Sequence, residues 1–251
     1  MELTSFSYEL LAFLLCIAMI AGFLDTLAGG GGLLTIPALM MVGLPPLSVL
    51  ATNKFQASMG TATATLMMLR NRHVRWSNVK ALMLSAFIGS AVGTTIIQLI
   101  DAEALTIIIP VVITVIGVYF LFTPTVDAVN REAKISARGY QKIVVPVIGC
   151  YDGLLGPGTG SFFVLAGRGL RAQPFLEATA VAKTLNFSTN IASLIIFLFA
   201  GQVIWLVGLT MMLGQFIGAW LGAHYLFIIP VKYLRYLIVF MCFSMLAKYL
   251  I

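Results

Sequence analysis

The sequence contains very little charge. Only 10% of its 251 residues are Asp, Glu, Lys or Arg, whereas 60% are hydrophobic, and its mean hydropathy is +1.02. Soluble domains are typically about 25% charged, so an ordinary soluble fold is excluded. Apolar stretches long enough to span a membrane recur along the whole chain. We therefore predict an all-α, polytopic membrane protein.

Residues that support catalysis or metal binding are also scarce. The three cysteines, Cys16, Cys150 and Cys242, lie far apart in apolar segments, and no CxxC motif or Cys/His cluster occurs. Neither HExxH nor GxSxG is present, and the glycine-rich stretches lack the lysine or strand context of nucleotide-binding loops. The sequence thus predicts a protein that is not an enzyme and that uses no cofactor or metal.

The chain repeats itself with an offset of about 129 residues. The motif FIGSAVG that begins at Phe87 returns as FIGAWLG at Phe216. The charges inside apolar segments also match, at an offset of 129 for the lysines and 127 for the aspartates: Lys54 with Lys183, and Asp25 with Asp152. We predict two homologous halves, residues 1–122 and 143–251.

Basic residues in the connections predict how the two halves are oriented. If the halves had the same orientation, four basic residues of the second half would lie outside the cell. Suppose instead that each glycine-rich region is a hairpin that starts and ends on the same face of the membrane. The halves are then inverted, and Lys248 is the one basic residue of the connections and ends that lies outside. The polar linker 123–142 is then cytoplasmic and both termini are external. Twelve basic residues face the cytoplasm in this arrangement: Arg70, Arg72, Arg75, Lys80, Arg131, Lys134, Arg138, Lys142, Arg168, Arg171, Lys232 and Arg235.

The predicted fold is therefore a pair of inverted repeats in a membrane. It has about eight long transmembrane helices, as judged from the lengths of the apolar segments. The apolar segments at 33–43 and 161–167 are too short to cross a bilayer, and we expect them to be half-helices or re-entrant pieces next to the glycine-rich breaks.

The glycine-rich breaks are the candidate binding site. Each glycine weakens a helix by about 1 kcal/mol, and a charge at the bilayer centre costs at least about 2.5 kcal/mol. Broken helices in inverted-repeat transporters direct their N-termini, with free backbone N–H groups, at anions. We expect the aspartates Asp25 and Asp152 to carry a proton, cap the lysines or bind a cation. The predicted substrate-binding residues are Gly29, Gly30, Gly31, Gly32, Asn53, Lys54, Gly156, Gly158, Gly160, Lys183 and Asn186.

Other interpretations remain open at this point. Asp25 and Asp152 could be ligands of a transported cation or metal, although two carboxylates without soft ligands suit transition metals poorly. A non-transporting assembly factor would bury Asp25 against Lys54 without a cavity, and a membrane enzyme would need a catalytic group. Glycines without nearby charge fit close helix packing better than binding: Gly89, Gly93, Gly218 and Gly222.

Three long stretches resemble a known family. FLDTLAGGGGLLTIPALMMVGLPPLSVLATNKFQAS (23–58) resembles the first signature of the sulfite exporter TauE/SafE family, especially its YfcA-like bacterial branch. GCYDGLLGPGTGSFF (149–163) and ATAVAKTLNFSTNIASL (178–194) resemble the second-half counterparts. The resemblance implies an inner-membrane transporter that moves sulfite or organosulfur anions outward. By matching motif positions, the resemblance also implies these candidate functional residues: Gly29–Gly32, Asn53, Lys54, Asp152, Gly156, Lys183 and Asn186.

The residues and the resemblance together predict a secondary transporter of small anions, such as sulfite, other sulfur oxyanions or sulfonates, energised by the proton motive force. Lys54 and Lys183 would attract the anion, and N–H groups of the glycine loops would complete its shell. Asp25 or Asp152 would be the protonation switch. The expected partners are the small anion and the lipid bilayer, not nucleic acid, and homodimerisation is left open.

Overall fold

The computed structural model describes residues 6–122, 132–225 and 231–250, and the regular structure in these ranges is helical. This confirms the prediction of an all-α protein for the described part of the chain. A short turn of helix, Ala137–Gly139, and a π-helical turn, Tyr140–Val144, lead directly into the helix that begins at Val145. The helices are α1 (Tyr8–Ala28), α2 (Gly32–Met41), α3 (Pro46–Arg70), α4 (Trp76–Ile97), α5 (Ala102–Phe122), α6 (Val145–Leu154), α7 (Thr159–Arg171), α8 (Phe175–Phe199), α9 (Trp205–Tyr225) and α10 (Val231–Leu250).

Several of these helices can cross a membrane. Large apolar side chains are exposed on the outer surface, as Leu84 and Ile107 show, and such a surface suits lipid. Helix α3 is 25 residues long, but its buried polar side chains lower its hydropathy. The prediction of about eight long spans is therefore not confirmed, and it stays a prediction. Five described segments are both long and apolar enough to span: Tyr8–Leu27, Trp76–Ile97, Ala102–Tyr119, Phe175–Phe199 and Trp205–Tyr225.

In each half of the chain, a glycine-rich segment lies between a helix and the short helix that follows it. These two segments, residues 29–32 and 156–161, are called the glycine turns, and the second includes the first residues of α7. Helix α1 ends at Gly29, whose φ of 75° is left-handed and whose N–H donates to the Asp25 carbonyl at 2.7 Å. In the second half, Gly156 and Gly158 have φ values of 91° and 78° just before α7 begins. Glycine adopts this conformation without the steric cost that other residues incur. Helices α2 and α7, of 10 and 13 residues, occupy the stretches where short pieces were predicted.

Helices α3 and α8 run antiparallel through the centre of the molecule. Near the start of α3, Ser48 donates a hydrogen bond to Gln202, which follows the end of α8, at 3.4 Å. Near the end of α3, Thr65 donates to the Lys183 carbonyl in the first half of α8, at 3.1 Å. Because one helix comes from each half, their polar faces meet in the interior.

Glycines allow two pairs of helices, α4 with α6 and α9 with α1, to pack closely together. Gly89 and Gly93 of α4 lie against the backbone of Pro146 and Cys150 in α6, so a side chain at either glycine would collide with that backbone. Helix α9 approaches α1 in the same way. Gly89, Gly93, Gly218 and Gly222 thus make the close helix contacts that were predicted for them. The contacts of α9 with α1 are made by Gly214, Gly218 and Gly222.

Candidate functional site

The two glycine turns touch each other in the interior of the molecule. A Cβ atom added to Gly29 would lie 2.6 Å from the backbone nitrogen of Ser161, and one added to Gly160 would lie 3.0 Å from the Cα of Gly29. The Ser161 hydroxyl donates to the Gly29 carbonyl at 3.4 Å. The absence of side chains therefore lets the backbones of the two halves meet directly.

A small polar cavity lies beside this contact. Its volume is ≈ 30 Å³, whereas a single water molecule needs about 10–15 Å³. The cavity therefore has room for a few waters or a small ion. Apart from glycines, Ala57 is the one lining residue without a polar side-chain group. Such a lining is suited to a hydrophilic ligand.

Most of the residues predicted for the site line this cavity. Gly30 and Lys183 do not line it, but Lys183 forms an ion pair with Asp25, which does. The positions are observed, whereas the binding and proton-coupling roles of these residues stay predictions. The predicted residues that line the cavity are Asp25, Gly29, Gly31, Gly32, Asn53, Lys54, Asp152, Gly156, Gly158, Gly160 and Asn186.

Lys54 and Asp152 form a buried ion pair on the cavity wall. The Lys54 Nζ lies 2.8 Å from the Asp152 Oδ2, and the two side chains are 3% and 2% exposed. The same Nζ donates to Asn190 Oδ1 at 3.3 Å. A Cβ on Gly156 would lie 3.2 Å from this Nζ, so the glycine gives the ammonium group its space. Each charge needs the other, because an unpaired charge in the interior is strongly unfavourable.

Lys183 and Asp25 form a second ion pair with a different geometry. The Lys183 Nζ lies 3.4 Å from the Asp25 Oδ2 and also donates to the main-chain carbonyl of Asp25. This carbonyl belongs to the last turn of α1, where the helix dipole favours a cation. The Asp25 Oδ1 accepts the N–H of Gly31 at 3.0 Å. This second pair therefore holds the first glycine turn in place.

Both ion pairs connect the two halves of the chain. Lys54 of the first half pairs with Asp152 of the second, and Lys183 of the second pairs with Asp25 of the first. The assembly-factor interpretation required Asp25 against Lys54 without a cavity, and the structure differs from it in both respects. The antiparallel crossing of α3 and α8 explains this, because it brings each lysine to the helix break of the opposite half.

Some uncharged polar residues of the cavity were not predicted from the sequence. Thr61 and Asn190 line it and are joined by a hydrogen bond of 3.3 Å. They are 129 positions apart, so extending the repeat comparison could have found them. Gln215 also lines the cavity, but the equivalent position in the first half is Ala86, so no repeat signal marks it.

Hydrogen bonds also link the first glycine turn to α3. Thr35 in α2 donates to Asn53 Oδ1 at 2.6 Å, and Gln56 Nε2 donates to the same oxygen at 2.9 Å. These bonds fix the amide of Asn53 at the edge of the cavity. Gln56 is a further lining residue that the sequence analysis missed.

The cavity offers no evident metal site. In the ranges that the structure describes, no three His, Cys, Asp or Glu side chains lie close enough together to hold a metal ion. Asp25 and Asp152 each face a lysine ammonium group instead of each other. An apolar helical bundle that encloses a small polar cavity fits the architecture of a membrane transporter.

Comparison with known proteins identifies the family. A family model described as "Sulfite exporter TauE/SafE" matches residues 14–249. The chain belongs to this family, so the resemblance seen in its motifs is confirmed. No solved structure matches the chain.

Curated relatives cover nearly the whole chain. A "Probable membrane transporter protein" of Haemophilus influenzae is 43% identical over 240 residues, covering 96% of this chain and 94% of that one. "Probable membrane transporter protein YfcA" of Escherichia coli is 41% identical over 241 residues, covering 96% and 90%. "Probable membrane transporter protein ORF9" of Sinorhizobium is 39% identical over 244 residues, covering 97% and 94%. These relatives are named as transporters and not as enzymes.

Proposed function

We propose that the protein exports small anions, namely sulfite, related sulfur oxyanions or small sulfonates, and is driven by the proton motive force. The observation that supports this most directly is the cavity where the Lys54–Asp152 pair meets both glycine turns. The family description names sulfite export, and the cavity is of a size for a small ion. The proposal therefore rests on the Lys54–Asp152 pair, the polar lining of the cavity and its limited space.

Proton coupling follows from the competition for Lys54. In the observed arrangement the Asp152 carboxylate already neutralises the ammonium group, at 2.8 Å. An incoming anion must displace this carboxylate or share the lysine with it, and like charges held that close repel each other. A proton on Asp152 removes the competing charge, so protonation of Asp152 and occupancy of the site by the anion are linked. Asp152 is accordingly the protonation switch of this proposal.

Asp25 and Lys183 remain part of the proposed site. Asp25 lines the cavity, and the Lys183 ammonium group lies against its carboxylate. A proton on Asp25 would release Lys183 toward the cavity, where it would supply the second positive charge. In this proposal each ion pair supplies a lysine that binds the anion and an aspartate that binds a proton.

We also propose that the halves, 1–122 and 143–251, are inverted repeats within one integral membrane domain. The antiparallel course of α3 and α8 supports this, because matched helices that run in opposite directions through one membrane belong to inverted halves. The inner membrane, a cytoplasmic linker at 123–142 and external termini are parts of the same proposal. Residues 123–131 lie outside the described ranges. Homodimerisation stays a prediction.

Uptake of labelled sulfite into proteoliposomes, with and without an imposed pH gradient, tests the transport proposal. We expect gradient-driven flux in the wild type and its loss in Lys54→Gln and Lys183→Gln. Lys80→Gln is the matched control, because this exposed lysine lies outside the cavity. Unchanged flux and pH dependence in Lys54→Gln would refute the anion site. Folded protein without sulfite flux would refute sulfite as substrate.

A further inference from the structure

We infer that Gln56 and Gln215 recognise a donor hydrogen on the substrate. The site would then select a small, singly charged anion that carries an O–H or N–H group over one of equal charge and size that carries none. This inference rests on the proposed anion site and names the class of anion that occupies it. It assigns a role to two residues whose positions only the tertiary structure makes evident.

Gln56 presents an unused hydrogen-bond acceptor. Its side chain is completely buried and lines the cavity. Its Nε2 is occupied at Asn53 Oδ1, an oxygen that also accepts the Thr35 hydroxyl, so the amide of Gln56 is held in one orientation. The remaining Oε1 accepts no hydrogen bond from any protein group that the structure describes. A buried acceptor without a donor is unfavourable, and a substrate hydrogen would satisfy it.

Gln215 reaches the same cavity through a gap made by two glycines. A Cβ on Gly22 would lie 2.7 Å from the Gln215 Oε1, and a Cβ on Gly60 would lie 2.6 Å from it. The side chain is 3% exposed, and its amide forms no hydrogen bond with another described residue. The equivalent residue of the first half is Ala86. The amide is therefore an asymmetric feature of the cavity, with hydrogen-bonding capacity left for a ligand.

The charges around the cavity also favour a singly charged anion. With Asp152 protonated, as proposed for the anion-bound state, Lys54 contributes one positive charge and the Lys183–Asp25 pair contributes none. A doubly charged anion would then leave one negative charge uncompensated in the interior, whereas its singly protonated form leaves none. The hydrogen that lowers this charge is also the hydrogen that Gln56 lacks. Charge balance and hydrogen bonding thus select the same form of an oxyanion.

Sulfamate and methanesulfonate provide a matched pair of probes. Both carry one SO₃⁻ group and one negative charge at neutral pH, and they have nearly the same size. Sulfamate has an NH₂ group where methanesulfonate has a methyl group. The binding of each probe is measured by thermal unfolding of the purified full-length protein. The measured quantity is the probe concentration that gives half of the maximal increase in the midpoint temperature. This readout does not depend on transport.

We expect sulfamate to act at a concentration at least about tenfold lower than methanesulfonate in the wild type, as one buried hydrogen bond allows. Gln56→Leu and Gln215→Leu should bring the two concentrations close together. Gln141→Leu, outside the cavity, should keep the difference. Equal action of both probes on the wild type would overturn the inference while leaving an anion site intact, whether or not the variants fold.

Two other outcomes are equally informative. A sulfamate preference that persists unchanged in both Gln56→Leu and Gln215→Leu would overturn the assignment to these residues. Failure of both probes to stabilise the wild type would overturn the proposed anion site itself, and the inference with it. A preference that disappears in the two variants but not in Gln141→Leu would support it.

Discussion

Gly29 and Gly43 share a left-handed backbone, with φ of 75° and 77°, but their surroundings differ. An added Cβ at Gly29 would lie 2.6 Å from the Ser161 nitrogen of the opposite glycine turn. An added Cβ at Gly43 would have nothing within 4 Å. Comparison of the two positions separates the conformational role of glycine from its role in bringing the two turns together.

We predict that Gly29→Ala abolishes sulfite transport and that Gly43→Ala does not. Gly43→Ala should lower the free energy of unfolding by about 1–2 kcal/mol, and Gly29→Ala by at least this amount, because alanine is strained in this conformation. Only Gly29→Ala also pushes the turns apart. Proteoliposome uptake and thermal unfolding in detergent measure the two effects. Wild-type transport by Gly29→Ala would contradict the proposed role of this contact.

The ion pair at the cavity wall gives a second prediction at the level of residues. Lys54→Gln leaves Asp152 buried without its partner, which should destabilise the protein by about 3–5 kcal/mol. Adding Asp152→Asn should recover most of this loss, because no unpaired charge remains. Thermal unfolding of both variants, with the exposed Lys80→Gln as control, tests the expectation.

Transport should not recover with stability. The double variant Lys54→Gln/Asp152→Asn has neither the ammonium group nor the titrating carboxyl group, so we expect it to fold without gradient-driven sulfite flux. A single variant Lys54→Gln as stable as Lys80→Gln would show that the pair is not buried in the functional protein.

At the scale of helices, glycine decides which surfaces can meet. Gly214, Gly218 and Gly222 lie on one face of α9, where they touch the backbone of Leu15, Met19 and Phe23 in α1. The residue numbers rise together, so these two helices are parallel. The close approach places the end of α1, with Asp25, beside the cavity. Close helix packing is thus a condition for the geometry of the site.

We predict that Gly218→Ala lowers the thermal midpoint, whereas Gly169→Ala does not. Both residues are in helices, so alanine improves helix propensity by up to about 1 kcal/mol at each. At Gly218 the new Cβ would overlap the Met19 backbone, and this should cost about 1–3 kcal/mol. At Gly169 it would meet nothing within 4 Å. A Gly218→Ala protein as stable as the wild type would contradict the close packing of α1 and α9.

At the scale of the whole molecule, the interleaving of the two halves joins the site together. Helix α1 packs on α9 and α6 packs on α4, while α3 and α8 cross between them. Each half therefore supplies one glycine turn and one charge of each ion pair. Neither half alone supplies all the residues that line the cavity.

The proposed inversion predicts which loops are accessible from outside the cell. Single cysteines are introduced after Cys16, Cys150 and Cys242 have been replaced by alanine. Asp101→Cys and Ala200→Cys should react with a membrane-impermeant maleimide in intact cells. Ser77→Cys and Ala133→Cys should react only after the membrane has been permeabilised.

The chosen positions make the labelling decisive. All four residues are exposed, so lack of reaction in intact cells reports sidedness rather than burial. External labelling of Ser77→Cys together with Ala200→Cys would rule out the inverted arrangement. If one external position reacts and the other does not, the proposed orientation is wrong for the half that contains the unreactive position.

Much of the fold and part of the site were predictable from local features of the sequence. Low charge and long apolar stretches determined a helical membrane protein, because each residue placed in lipid must be compatible with it. The repeat made Asp25, Lys54, Asp152 and Lys183 stand out, because charge inside apolar segments is rare and costly. The glycine runs marked the helix breaks, because glycine lowers helix stability wherever it occurs.

The tertiary structure decided which residues face one another. The pairing of Lys54 with Asp152 and of Lys183 with Asp25 depends on the antiparallel crossing of α3 and α8. The place of Gln215 in the cavity depends on glycines of two other helices, far away in the chain. Composition and periodicity describe each helix separately. Contacts between distant helices depend on how all of them pack, and only the folded chain contains that information.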